Sequence, residues 1–431
     1  MNAGQPASPS SPTARRGAPG GGGGGDNAEF PMHVFVVGLM QPTTKLAFEQ
    51  WVREGDNETK ELLQRISRTR EELVSALTRS TPEAALRSLD AYIPCELGLM
   101  EGLDQAAAAT GNPVARNIRV CWTSSVSVNF LKNPMVFNSM SSELFFSYMT
   151  AAFLHRAAAA QRFGTIFASQ EAFDEGSKEV ARSLCMAAGI FEFIRDTQCL
   201  QFKKVRYYFP PLCVQFEGEL TVATRHGRLD PPVAEITEHF QTLFINLCLA
   251  EAQQIAVQKA MAKGTSDSLL AKLILDISQK YNIASFALKA ITGVEFVESF
   301  RLYLTLNNLL FSGLTYKHLA RDAHANGEYG RAVAYMQKAV GEVPEKPKGR
   351  FTDAAFQSFV NVYGAERDEL VKLAKAYASD NDAIYYDRVP PESEVVLPAE
   401  GRSLMKAVPY APPAPIPVPV KLAKSPDCLL Q

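Results

Sequence analysis

At 431 residues, 46% hydrophobic and 21% charged, the chain can bury one large core or two ordinary ones and has the balance of a soluble globular protein. A formal net charge of −2 excludes a dedicated nucleic-acid binder, which needs concentrated Lys and Arg. The seven cysteines (Cys95, Cys121, Cys185, Cys199, Cys213, Cys248, Cys428) form no C-x-x-C pair and no framework spacing, as expected of reduced, mostly buried cytosolic thiols. The N-terminus has no apolar h-region and no apolar run approaches a bilayer span, so a cytoplasmic chain is expected.

Residues 1–29 are mostly Ser, Pro, Ala and Gly and predict a disordered tail, because they offer too little apolar surface to offset the entropy of ordering. Gly20–Gly25 is no phosphate loop: no strand precedes it and no Gly-Lys-Ser/Thr follows. Order is expected from Met32-His-Val-Phe-Val-Val-Gly-Leu39, an apolar run of strand composition. Helical patterns follow over about 44–77 and 82–108. Two β-prone runs, Ile118–Trp122 and Val126–Phe130, are expected to pair with the first strand in a small antiparallel sheet. Helices are predicted over 141–163 and 170–202, then a Pro-rich interruption at Phe209-Pro-Pro-Leu212 and a polar loop over 225–230.

From Pro232 to Tyr281 the spacing predicts two long helices. The first is apolar on most sides (Phe240, Leu243, Phe244, Leu247, Ile255) and should be buried on more than one face. Lys263-Gly264 ends it, and Thr265, Ser266 or Asp267 can cap the next. On that second helix Leu270, Ile274, Ile277 and Tyr281 form the core stripe. Leu269 and Leu273 fall beside the stripe: either the helix is covered on two sides, or these leucines serve a partner. Further helices are predicted near 294–326, 328–340 and 352–378. Ala320, Ala323, Gly327, Tyr329, Ala332, Met336 and Ala339 give one tetratricopeptide-like hairpin, small residues where two helices cross and a Gly at the turn. After Pro390 the chain becomes Pro-rich and extended.

Chemistry is hard to find. The six histidines are dispersed, none in H-E-x-x-H, and no Cys/His cluster has zinc spacing. No G-x-S-x-G, G-x-G-x-x-G or Walker sequence sits between a strand and a helix. The basic-aromatic run Lys203–Phe209 reads as a solvated helix end. A non-enzymatic chain without metal or cofactor is expected.

Three stretches carry a resemblance. Asp174-Glu-Gly-Ser-Lys178 continuing to Phe191, Leu249-Ala-Glu-Ala-Gln253 through Lys259-Ala260 to Leu269–Leu273, and Asp380-Asn-Asp-Ala-Ile-Tyr-Tyr-Asp-Arg-Val-Pro390 together resemble Bro-type domains of the ALIX and BROX family. The last is similar to a closing signature close to D-N-D-F-I-Y-x-D-R-V-P. The resemblance implies a mainly α fold: a single curved, banana-shaped α-solenoid with a tetratricopeptide-like core and a small N-terminal antiparallel β-sheet. It covers residues 30–409, between the tail 1–29 and a Pro-rich segment 410–431. It also implies an adaptor in endosomal sorting that binds the C-terminal amphipathic helix of an ESCRT-III subunit in a shallow apolar groove. The groove positions fall on Ala256, where the family expects a large ring, and on Leu269 and Leu273, with Lys259, Lys263 and Lys272 at the rim. The chain closes on Cys428-Leu-Leu-Gln431, a C-a-a-X box that favours a farnesyl or other prenyl group on Cys428. One lipid gives weak, reversible binding, so the expectation is a peripheral protein on endosomal membranes. The Pro-rich segment is a further candidate for SH3-like modules. The alternative is a helical scaffold for a different peptide or signalling partner, with ESCRT-III binding lost.

Overall fold

In a computed structural model the described residues are 30–52, 55–111, 114, 118–199, 224–225, 228–229, 233–349 and 351–421. The expected disordered tail, the Lys203–Phe209 run, the Pro-rich interruption, most of the polar loop and Cys428 lie outside them.

Nine long helices are found among the described residues: α1 (Asn57–Arg79), α2 (Pro82–Thr110), α3 (Met140–Phe163), α4 (Gln170–Phe193), α5 (Glu238–Ala262), α6 (Asp267–Ala290), α7 (Glu298–Ala325), α8 (Tyr329–Glu342) and α9 (Ala354–Asp380). Local chemistry sets their ends. Asp56 accepts from Thr59 N to start α1, Thr81 precedes a helix-opening Pro82, and Ser139, Ser169 and Thr237 cap α3, α4 and α5. Each such cap is worth about 1 kcal/mol. Gly264, at φ +70, breaks the chain between α5 and α6, as Lys263-Gly264 predicts. Every helix packs on its neighbour in sequence, α1 on α2 through to α8 on α9, which makes a curved solenoid. One apolar cluster runs through it, from Phe30 to Val418.

Two expectations need correction. The run 32–39 is not a strand. It crosses α5 in extended form, and its backbone pairs with helix side chains: Phe30 N, His33 N and Phe35 N donate to Gln258 Oε1, Gln254 Oε1 and Glu251 Oε1 at 3.3, 2.9 and 2.9 Å. Acceptors three and four residues apart share one helix face, so α5 offers a ladder where a strand was expected. Glu251 is anchored in turn by buried Arg156, at 2.7 Å, which also donates to Phe35 O. The sheet is built otherwise. β1 (Val120–Trp122) pairs antiparallel with β2 (Met135–Phe137), Cys121 opposite Val136, and Pro42 bridges to Trp122 on the other edge. The run 126–130 instead forms a short 3-10 turn at Val128–Phe130, because Ser124 Oγ accepts from Val126 N and Ser127 N and so bends the chain out of a strand. The helix expected over 170–202 is α-helical over Gln170–Phe193, passes through a π-turn at Ile194–Gln198 and is helical again at Cys199, where the described residues of this run end.

After α9 and a π-turn at Asn381–Tyr385, the extended segment 391–421 runs back along the solenoid as a strap. It crosses α6 and α5 near Gly401, α4 at Val408 (Val408 N to Cys185 O, 2.9 Å) and α2 at Ile416 (Ile416 N to Pro94 O, 2.9 Å). It reaches the start of α1, where Lys421 exchanges bonds with Thr59 and Asp56 N donates to Lys421 O. Glycines let it lie this close: a Cβ at Gly98 would stand 1.6 Å from Ile416 O, one at Gly102 2.0 Å from Val418 O, and one at Gly189 1.7 Å from Val408 O.

Candidate functional site

The face to examine is that of the α5–α6 hairpin. Its register is fixed by Gln253, whose Nε2 donates to Leu273 O at 3.3 Å, and by Thr265 N donating to Ala260 O at the tip. Ala256 stands three residues from Gln253 toward the tip, and Leu269 four residues from Leu273. At about 1.5 Å of rise per residue, Ala256 and Leu269 are nearly level on the two helices. Lys259 and Lys263 follow toward the tip on α5, and Lys272 lies exposed on α6.

The three apolar positions differ in exposure. Leu269 is half-buried and rests against the main core. Ala256 is buried, 8% exposed, and presents a methyl where the family pattern expects a ring. Leu273 is only 2% exposed and belongs to the core. The expectation that Leu273 is partly exposed is therefore corrected. The helical wheel places it correctly beside the core stripe, but that side of α6 is covered.

Much of the cover is the strap, which sequence reasoning missed. Arg402 N donates to Lys272 O at 2.8 Å, and Leu404 N to Gln253 Oε1 at 2.9 Å, while Gln253 Nε2 also donates to Arg402 O at 2.9 Å. Gly401 lies flat on α6: a Cβ there would be 2.3 Å from Asp276 N. That lone glycine in a Pro-rich stretch is the available signal, since isolated glycines mark close backbone approach.

The electrostatics are cationic at the tip. Lys259 is held below the ordinary lysine range, first by partial burial and then by Lys178 and Lys263, with Asp174 opposing. Among the described residues none of Lys259, Lys263 and Lys272 forms a direct ion pair. Nearby carboxylates are engaged: Asp276 pairs with Lys280 at 2.5 Å, and Asp267 with His318 Nδ1 at 2.5 Å. His318 is thus a satisfied core residue, as its sequence context suggests. Among the described residues no group of His, Cys, Asp or Glu could hold a metal ion, and no helix is long and apolar enough to cross a membrane.

An α-solenoid crossed by an extended strap is the architecture of a helical scaffold. A model of the BRO1-like domain matches residues 44–425, and the chain belongs to that family, with its ALIX- and BROX-like members. Among curated relatives, the pH-response regulator palA/RIM20 of Debaryomyces hansenii is 26% identical over 56% of this chain and 28% of its own length. The BRO1 domain-containing protein BROX of Xenopus tropicalis is 22% identical over 80% of this chain and 77% of its own. The ALG-2 interacting protein X of Dictyostelium discoideum is 23% identical over 54% of this chain and 26% of its own length, so the chain spans about a quarter of the length of this relative and of palA/RIM20. The solved ALIX BRO1 CHMP4C complex superposes with a TM-score of 0.59 at 18% identity, over 88% of this chain and 95% of that one. ALIX bound to a SIVmac239 late-domain peptide gives 0.64 at 17% identity, over 88% and 49%. These likenesses show the fold.

Proposed function

We propose that this chain is an ESCRT-associated adaptor whose α5–α6 face takes the C-terminal amphipathic helix of an ESCRT-III subunit. The supporting observation is the placement of half-buried Leu269 level with Ala256, between partly buried Lys259 and exposed Lys263 and Lys272. An amphipathic helix would lay its apolar side on Leu269 and Ala256 and bring acidic residues to the lysines. The ALIX BRO1 domain is solved with CHMP4C, which makes that subunit's C-terminal helix the probe to use. Rim lysines should act mainly on association rate and salt dependence, not on the lifetime of the complex. In this reading Cys428 carries a prenyl group, the protein is peripheral on endosomal membranes, and the Pro-rich segment is open to SH3-like modules.

A second reading has a specific observation behind it. With a methyl at Ala256 and Leu273 buried, the face is flatter than a groove with an aromatic wall, which suits a different peptide. The experiment is a titration of the protein with a labelled CHMP4C C-terminal peptide, repeated with Leu269→Asp. Saturable binding that Leu269→Asp abolishes supports the ESCRT-III reading; no binding favours the second.

A further inference from the structure

We propose that Leu404, on the strap, is a wall of the partner groove and takes the place of the ring missing at Ala256. The inference rests on the groove reading above and names a residue that determines its specificity.

The geometry is local and well fixed. Leu404 is 47% exposed, a large aliphatic side chain held out to solvent by a rigid backbone. Three hydrogen bonds fix it there: Leu404 N to Gln253 Oε1, Gln253 Nε2 to Arg402 O, and Arg402 N to Lys272 O. Gln253 spends both ends of its amide on this clamp and is itself fully buried. Ala256 lies one turn from Gln253 on the same side of α5, about 4.5 Å along the axis. The next strap residue, Met405, turns the other way and packs on the α4–α5 cluster with Ile255 and Ala252. Leu404 is therefore left as the strap's exposed apolar side chain, held by Gln253 one turn from Ala256.

Charge decides the occupant. Lys178, Lys259, Lys263 and Lys272 surround this surface, and the strap adds exposed Arg402. Asp174 is the nearby opposing carboxylate acting on Lys259. A helix that is apolar on one face and acidic on its flanks fits; a basic or wholly polar segment does not. In such a complex the strap is part of the site, so the apolar contact comes from two consecutive helices and a segment far from them in sequence. Gln253 is a positioning residue here, since it acts only through the strap it holds.

The test is a double-mutant cycle on the full chain with the labelled CHMP4C C-terminal peptide as probe. Leu404→Ala should weaken binding about tenfold with an unchanged melting temperature, because the side chain is half in water already. Leu404→Met should retain binding. Ala256→Phe should change the wild type little but restore most of the affinity lost in Leu404→Ala, the coupling expected of two side chains that fill one space. Wild-type affinity in Leu404→Ala, while Leu269→Asp abolishes binding, overturns the inference and leaves the adaptor reading standing. A loss that Ala256→Phe does not recover also overturns it. A wild type that fails to bind, or binds no better than Leu269→Asp, overturns the adaptor reading and this inference with it.

Discussion

Leu273 and Leu269 sit one turn apart on α6, yet the same substitution should have opposite effects on them. Leu273 is 2% exposed within the main cluster. Truncating a leucine in such a place costs about 2–5 kcal/mol through lost transfer energy and the cavity left behind. Leu273→Asp adds a carboxylate that no nearby cation can reach without rearranging the Gln253 clamp, and an unpaired buried charge costs several kcal/mol more or forces protonation. Against a total stability of about 5–15 kcal/mol, this variant should be largely destabilised. Leu269 is half-buried, so Leu269→Asp can turn its carboxylate into water and should stay within about 1 kcal/mol of wild type. Urea unfolding followed by circular dichroism measures both, and the slope m shows whether unfolding remains a single transition. A Leu273→Asp midpoint indistinguishable from wild type would refute the reasoning, because it would make Leu273 a surface residue.

Gly98→Ala should loosen the strap: with 1.6 Å between the new Cβ and Ile416 O, the Ile416 N to Pro94 O bond breaks and buried Val418 lifts. The expected cost is about 2–4 kcal/mol, and limited proteolysis should cut within 410–421 earlier than in wild type. His33 gives a pH dependence. Its Nδ1 is buried without a partner and its ring lies against Tyr303 and Phe359, and burial lowers its pKa from 6.5 to about 4. A depressed histidine pKa means the unfolded chain takes up the proton first, so this contribution to stability is complete above pH 6.5 and lost as the pH falls toward 4. The share of His33 in the loss between pH 7.5 and 5 should be about 2 kcal/mol; buried His155, also lowered to about 4, adds its own, so His33→Phe should reduce the slope of that part of the profile without removing it. Cys428→Ser should release the protein from membranes in cells, and mass spectrometry should find a prenyl mass at the C-terminus; an unmodified Leu429-Leu-Gln431 end would contradict this.

The helices were legible because their apolar period and caps are local, and α3, α8 and α9 fall within a few residues of where the pattern puts them. The misread strand at 32–39 shows the limit of periodicity. Alternating burial is the same whether an extended segment pairs with another strand or with the side chains of Glu251, Gln254 and Gln258, and that choice is made by residues more than two hundred positions away. The turn at Ser124 hides in a β-prone run because a hydroxyl, not an apolar pattern, redirects the chain. For the site, the wheel put Leu269 and Leu273 together beside the core stripe and could not tell half-buried from covered at Leu273. That difference comes from the strap, whose residues carry no period and are held mainly through backbone bonds and glycine contacts. Ala256, Leu269 and the lysines came from local sequence and resemblance; Leu404 and Gln253 required the fold.

The most direct test of the adaptor account is the affinity of the CHMP4C C-terminal peptide for the full chain, measured by fluorescence anisotropy at two salt concentrations with wild type and Leu269→Asp. The account predicts saturable binding that weakens with salt, as lysines at the rim require, and that Leu269→Asp removes while unfolding at the wild-type urea midpoint. Binding that is absent, or that persists unchanged in Leu269→Asp, would contradict it.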